Sequence, residues 1–168
     1  MDFVTAAVSS LNNSALTFVS DFLNNEFNMA IVVLALIGAC TFVLKEDRHL
    51  KVLVLTLLIG LAISASIKLI WYVPRPCATE QAKIPCPQDS SFPSTHTMAG
   101  FSLVAASLGY ASFVIYLPFA IFVAFSRVYL GVHTFFDVAA SLGLAMLSYA
   151  LASAALARIE GLKHAGNK

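Results

Sequence analysis

The sequence predicts an all-α fold: a polytopic membrane helix bundle of about five transmembrane helices, preceded by an N-terminal amphipathic surface helix. Three observations predict it. The 168 residues are 59% hydrophobic and only 11% charged, about half the charged share of an ordinary soluble domain. Too few polar groups exist to coat such a chain in water. The mean hydropathy is +0.83. The apolar residues also run in long, continuous stretches between short polar breaks, which suits spanning helices of about 20 residues and not the alternating strands of a barrel. The net charge of +1 and the lack of a basic tail argue against a nucleic-acid partner and leave the lipid bilayer as the environment.

Residues 1–27 form the first unit. Phe3, Ala7, Leu11, Phe18 and Phe22 recur at roughly helical spacing, with Asn12, Asn13, Asp21 and Asn24 between them. This pattern predicts a helix lying in the membrane interface as an anchor. No basic run precedes an apolar core there, so a signal peptide is not expected. Residues 28–168 form one membrane-embedded domain. Its spans run from Met29 to Leu44, Val52 to about Val73, Ser94 to about Ala111, Phe113 to about Val132 and His133 to about Ala157. "KEDRHLK", Lys45 to Lys51, separates the first two, and a polar, proline-rich loop from Pro74 to Pro93 separates the second and third.

Lysines and arginines in short loops set orientation. Lys45, Arg48 and Lys51 share one side with Arg158, Lys163 and Lys168, which places that side in the cytoplasm. The N-terminal segment and the 74–93 loop then face outward. Cys77 and Cys86 share that loop, where an oxidising space allows a disulfide; two unrelated thiols are the competing reading. The loop lacks a second cysteine pair, so a zinc site is not expected. Cys40 falls inside the first span and reads as core packing.

Charges at membrane depth cost several kcal/mol each unless paired or used, so they are informative. Lys68 and Arg75 lie in "KLIWYVPRP", two helical turns apart on one face, with Pro74 and Pro76 ending or distorting the helix. Either cation alone would read as snorkelling to the headgroups. "SFPSTHT" can open a helix at Pro93 and Ser94, whose N-terminus offers N–H groups to an anion. His96 stands in its first turn, where an interfacial histidine on a backbone carbonyl is the plainer reading. "SRVYLGVHTFFD" brings Arg127, His133 and Asp137. His133 and Asp137 are four apart, so Asp137 can orient the imidazole and leave its other nitrogen nucleophilic. A structural Arg–Asp pair beside a bystander histidine is the alternative.

All three clusters fall at the outer face. Lys68, Arg75 and Arg127 together need a polyanion, and a phosphate or diphosphate is the natural ligand. No Asp/Glu cluster suited to magnesium is present in the sequence, so metal-free chemistry without a cofactor is expected.

The three segments resemble the signature of the type 2 phosphatidic acid phosphatase superfamily: K-x6-R-P, then P-S-G-H, then S-R-x5-H-x3-D. Here these are Lys68…Arg75-Pro76, Pro93-Ser94-Thr95-His96 and Ser126-Arg127…His133…Asp137. The resemblance implies a membrane phosphatase in which His133 attacks phosphorus to form a phosphohistidine. It further implies that Asp137 orients His133, that His96 serves as acid and then base, and that Lys68, Arg75, Ser94, Arg127 and N–H groups near Thr95 hold the phosphoryl oxygens.

Thr95 stands where the family usually has glycine, either narrowing the site or adding a hydroxyl to it. "DSSFPSTHT" looks most like the variant in bacterial-type undecaprenyl diphosphatases. The expected partner is therefore a membrane lipid with a phosphate or diphosphate head, first a polyprenyl diphosphate, then phosphatidic acid or phosphatidylglycerol phosphate. A transporter or flippase for phosphorylated lipid is the alternative of another class. The sequence does not specify an oligomeric state.

Overall fold

Three side chains in the N-terminal third set where its helices begin. Asp2 accepts from the Thr5 N–H, Asn13 from that of Leu16, and Asn25 from those of Phe27 and Asn28. Each satisfies a donor that the first helical turn leaves unpaired. The computed structural model describes residues 2–45, 49–80 and 82–166, the last five as backbone only. In it the caps open α1 (Phe3–Ser9), α2 (Ser14–Asn24) and α3 (Glu26–Val43). The N-terminal segment is thus two helices, not the single one expected, because Asn13 starts a new helix where the first has ended. Of the cations that predict orientation, Arg48, Lys168 and the Lys163 side chain lie outside the described residues.

Four more helices follow: α4 (Leu50–Ile70), α5 (Thr95–Ala106), α6 (Phe113–Tyr129) and α7 (Phe135–Gly166), and no strand occurs among the described residues. Three end earlier than the apolar pattern suggests: α6, at Tyr129 ahead of the turn at Gly131, and two others. α4 stops at Ile70 because Trp71 is already extended ahead of Pro74, which disfavours helix in the residue before it. α5 stops at Ala106, and the turn beyond it passes through Gly109 at a φ of 86°, a conformation that a side chain resists. α3, α4 and α7 are long and apolar enough to cross a membrane. α6 has 17 residues. α5 has 12 and at about 18 Å covers little over half of the hydrocarbon.

The short helix lies in the middle. α5 packs on α4, α6 and α7, while α3 packs on α2 and α5, and α1 and α2 pack on α6. Lipid gives helices little hydrophobic reason to associate, so close backbone approach and small residues must hold them. Gly60 and Gly100 supply this. A β-carbon on Gly60 would stand 3.3 Å from both Met98 Cε and Ser102 Oγ. One on Gly100 would stand 3.2 Å from the Ala120 α-carbon in α6. Leu53, Met98, Leu103, Tyr116 and Val123 fill the space around these contacts and are buried. Leu69, Ile70, Trp71 and Tyr72 are exposed at the end of α4, as befits an aromatic belt near the headgroups.

The N-terminal helices brace the bundle through hydrogen bonds. Thr5 is fully buried; its Oγ1 donates to Asp2 Oδ2 at 2.6 Å and accepts from the Phe135 N–H at 2.8 Å. It therefore satisfies a donor at the start of α7. The Tyr129 hydroxyl, at the end of α6, meets the Asn13 backbone at 3.0 Å and the Thr17 hydroxyl at 2.8 Å.

The Gly100 contact gives a direct test. Gly100→Val puts side-chain atoms against the α6 backbone, which has no rotamer by which to yield. It is expected to cost about 1–3 kcal/mol, read as a lower melting temperature in detergent, whereas Gly143→Ala, where nothing lies within 4 Å of the added carbon, should leave melting unchanged.

Candidate active site

Arg75 links the chain leaving α4 to Asp89 and to the turn that carries His133. It lies beyond α4, in extended backbone, so it does not share a helical face with Lys68 as the spacing suggested. Its Nη1 donates to the Val132 carbonyl at 3.0 Å and lies 3.1 Å from His133 Nε2. Its Nη2 reaches Asp89 Oδ1 at 2.7 Å, and its Nε the Asp89 carbonyl at 3.1 Å. Lys68, in the last turn of α4, donates to Asp89 Oδ2 at 2.7 Å and to the Ser90 carbonyl. The two cations therefore meet through a carboxylate from the loop.

That loop is held in register beside the chain leaving α4. The Ser91 N–H donates to the Val73 carbonyl at 2.8 Å, and Ser90 Oγ accepts from the Val73 N–H at 3.0 Å. Cys77 and Cys86 are joined in a disulfide with their α-carbons 5.6 Å apart. Lys83 donates to the Ser9 carbonyl and lies 4.4 Å from the Tyr129 ring centroid, which ties the loop to α1 and α6.

His133 sits in the turn between α6 and α7. Gly131, at a φ of 78°, reverses the chain, and the Arg127 carbonyl accepts from the N–H groups of Val132 and His133, each at 3.3 Å. Thr134 and Asp137 then form a capping box: the Thr134 N–H donates to Asp137 Oδ2 at 2.7 Å, and the Asp137 N–H to Thr134 Oγ1 at 3.2 Å. His133 thus precedes the helix instead of sharing a helical face with Asp137. Its Nδ1 is 3.7 Å from Asp137 Oδ2, and Ser91 stands between them. Ser91 Oγ donates to Asp137 Oδ2 at 2.6 Å and lies 3.5 Å from His133 Nδ1. A guanidinium can only donate, so Arg75 assigns the lone pair to His133 Nε2 and the proton to Nδ1, facing Ser91.

A cavity of about 130 Å³ lies before His133, lined by Asn24, Glu26, Lys68, Arg75, Pro87, Asp89, Thr95, His96, Arg127 and His133. It is large enough for a phosphoryl group. Six predicted residues meet here: Lys68, Arg75, Thr95, His96, Arg127 and His133. Among the described residues, His96 Nε2 and Arg127 Nε are buried without a hydrogen-bond partner, an arrangement that an anion or a polar ligand would relieve. Arg127 Nη1 donates to Asn24 Oδ1 at 2.7 Å.

Ser94 does not line the cavity. Its N–H donates to Ser141 Oγ at 2.9 Å, and its Oγ accepts from Thr97 Oγ1 at 3.0 Å. The Thr95 hydroxyl is 2.8 Å from Ser64 Oγ in α4, so it ties two helices together.

Sequence reasoning missed Asn24, Glu26, Asp89 and Ser91. Only Asp89 left a signal: three cations were assigned to one place while the one carboxylate there, Asp137, was already committed to His133. Asp89 remains ionised. Burial would raise its pKa, but hydrogen bonds from Lys68 and Arg75 outweigh that and lower it from 3.8 to about 2.

The sequence model of the PAP2 superfamily matches residues 49–159. The chain is 28% identical over 144 residues to the undecaprenyl-diphosphatase BcrC of Bacillus subtilis strain 168, covering 83% of this chain and 72% of that protein. Two solved structures share the fold. Aquifex aeolicus LpxE superposes with a TM-score of 0.72 at 19% identity, over 89% of this chain and 92% of its own. A transmembrane PAP2-type phosphatidylglycerolphosphate phosphatase from Bacillus subtilis gives 0.68 at 21% identity, over 93% and 84%.

The Ser91 bridge predicts a measurable effect. Ser91→Ala removes a hydrogen bond to a buried carboxylate, an interaction worth about 1.5–3 kcal/mol, and loosens the hold on His133. Turnover of a lipid phosphate should fall about tenfold or more with KM little changed; equal kcat for variant and wild type would show that Asp137 orients His133 without it.

Proposed function

The chain belongs to the PAP2 superfamily, and from that premise we propose a metal-independent lipid phosphatase that works through a phosphohistidine on His133. We take its substrate to be a polyprenyl diphosphate presented at the outer face of the cell membrane. The observation that carries the reading is the convergence of two imidazoles, from different segments, on one small cavity with Lys68, Arg75 and Arg127.

The chemistry follows in two displacements. The substrate phosphoryl group enters between the cations, and Arg75 turns from His133 Nε2 to its oxygens. The freed lone pair attacks phosphorus. The bond to the leaving oxygen breaks, and His96 gives that oxygen its proton; with a diphosphate, the lipid monophosphate departs. Nδ1 keeps its proton towards Ser91 and Asp137, whose negative charge stabilises the developing imidazolium. In the second step His96 takes a proton from water, the oxygen attacks the phosphohistidine, the P–N bond breaks and phosphate is released. Charge spreads over the phosphoryl oxygens in the transition state, where fixed cations act most strongly.

A lipid substrate suits a site at the end of membrane helices, because the tail can stay in the bilayer while the head enters. Support for a diphosphate comes from the similarity to a protein named as an undecaprenyl-diphosphatase. The Thr95 hydroxyl no longer supports it, since Ser64 already engages that group. Phosphatidic acid or phosphatidylglycerol phosphate is therefore the second reading. A transporter for phosphorylated lipid would need the cations but neither an oriented lone pair nor a second imidazole.

Three measurements check this reading. Purified protein should release phosphate from a lipid phosphate in EDTA and be inhibited by orthovanadate, which adopts the five-coordinate shape of the transition state. His133→Ala should fold and lose all turnover, and near wild-type rates in that variant would remove the assigned nucleophile. Thr95→Gly should alter the efficiencies for a polyprenyl diphosphate and its monophosphate together. A tenfold change in their ratio would return the Thr95 hydroxyl to substrate recognition.

A further inference from the structure

Asp89 is paired with the two cations between which the proposed mechanism brings the substrate phosphate. Its two carboxylate oxygens each lie 2.7 Å from a cation, Oδ2 from Lys68 Nζ and Oδ1 from Arg75 Nη2. Asp89 lines the same cavity as both imidazoles. Two parallel charge-assisted hydrogen bonds to a planar carboxylate are the pairing these cations would otherwise offer to phosphoryl oxygens.

We propose that Asp89 is an internal counter-anion that competes with phosphate for Lys68 and Arg75 and so sets how weakly the site holds its product. The inference rests on the phosphatase reading above and deepens it.

The geometry allows the exchange. The Asp89 side chain is 55% exposed, whereas that of Arg75 is only 5% exposed, so the carboxylate can turn out to solvent while the guanidinium stays. The Asp89 backbone need not follow, because its carbonyl is held separately by Arg75 Nε at 3.1 Å. The disulfide and the Ser90–Val73 contact keep the loop in register throughout.

Two consequences follow. Without an incoming anion, Asp89 relieves the repulsion between Lys68 and Arg75 and keeps both aimed. With one, every phosphate pays the same displacement cost. A lipid substrate recovers that cost through its tail. Free phosphate has no tail, so the returning carboxylate expels it. Apparent affinity falls by the fraction of time the site is open, and a carboxylate seated nine-tenths of the time or more weakens phosphate binding by about tenfold or more.

The test compares wild type, Asp89→Asn and Asp89→Glu in detergent, with inorganic phosphate and orthovanadate as probes. Inhibition constants against a lipid phosphate and ligand-induced shifts in melting temperature are both read. Asp89→Asn should lower both inhibition constants by about tenfold or more, and Asp89→Glu, which keeps the charge, should stay within about threefold of wild type. If Asp89→Asn is less stable alone, phosphate should raise its melting temperature more than it raises that of wild type. Unchanged or weaker phosphate binding in Asp89→Asn, with wild type still inhibited by vanadate, overturns the counter-anion and leaves the phosphatase reading standing. A wild-type protein that neither binds these anions nor hydrolyses lipid phosphate overturns both.

Discussion

The Arg75 guanidinium is the point on which the site depends. Its donors bind the Asp89 carboxylate and carbonyl, the Val132 carbonyl and His133 Nε2. One buried cation thereby fixes the loop after α4, the segment entering α5 and the turn between α6 and α7. Burying it costs several kcal/mol unless its donors are satisfied, so each element that reaches it is held in place by that need. Arg75 also dictates the tautomer of His133, since it can only donate. Removing it would leave Asp89 with Lys68 alone and the His133 lone pair without direction.

The bundle is built to present that cluster. α5 is the shortest helix of the central four, yet it touches the other three, and Gly60 and Gly100 let those backbones approach it. Its first turn carries Thr95 and His96 to the cavity, so the positive end of the helix lies there. α7 begins where Thr134 and Asp137 cap each other, and Thr5 Oγ1, from a distant part of the chain, accepts from the Phe135 N–H. Asp137 thus has two tasks: it caps a helix and, through Ser91, it anchors the hydrogen bonds that face His133 Nδ1.

Much of this was legible in the sequence. Long apolar runs gave the helices, and the membrane-depth groups Lys68, Arg75, His96, Arg127 and His133 do line one cavity, although neither Lys68 with Arg75 nor His133 with Asp137 shares the helical face that their spacing suggested. What stayed hidden depends on contacts between distant segments. Asn24 looked like one more polar residue on an amphipathic helix, yet it accepts from Arg127. Ser91 had no pattern to distinguish it from Ser90 beside it. Thr95 lines the cavity, but no local rule could show its hydroxyl turned to Ser64. The limits of α4 and α5 were misjudged where hydropathy continues past a backbone break at Trp71 and near Gly109. The Asn13 cap, by contrast, was readable and would have divided the N-terminal segment correctly.

The central claim is that phosphorus passes through His133. It is tested most directly by mixing the protein with a lipid radiolabelled in its terminal phosphate, quenching in alkali within milliseconds and mapping the label. A phosphohistidine on His133 gives protein-bound phosphate that is stable in base, labile in acid and confined to the peptide carrying His133. A full burst of free phosphate with no labelled peptide, or label on a different residue, would contradict it.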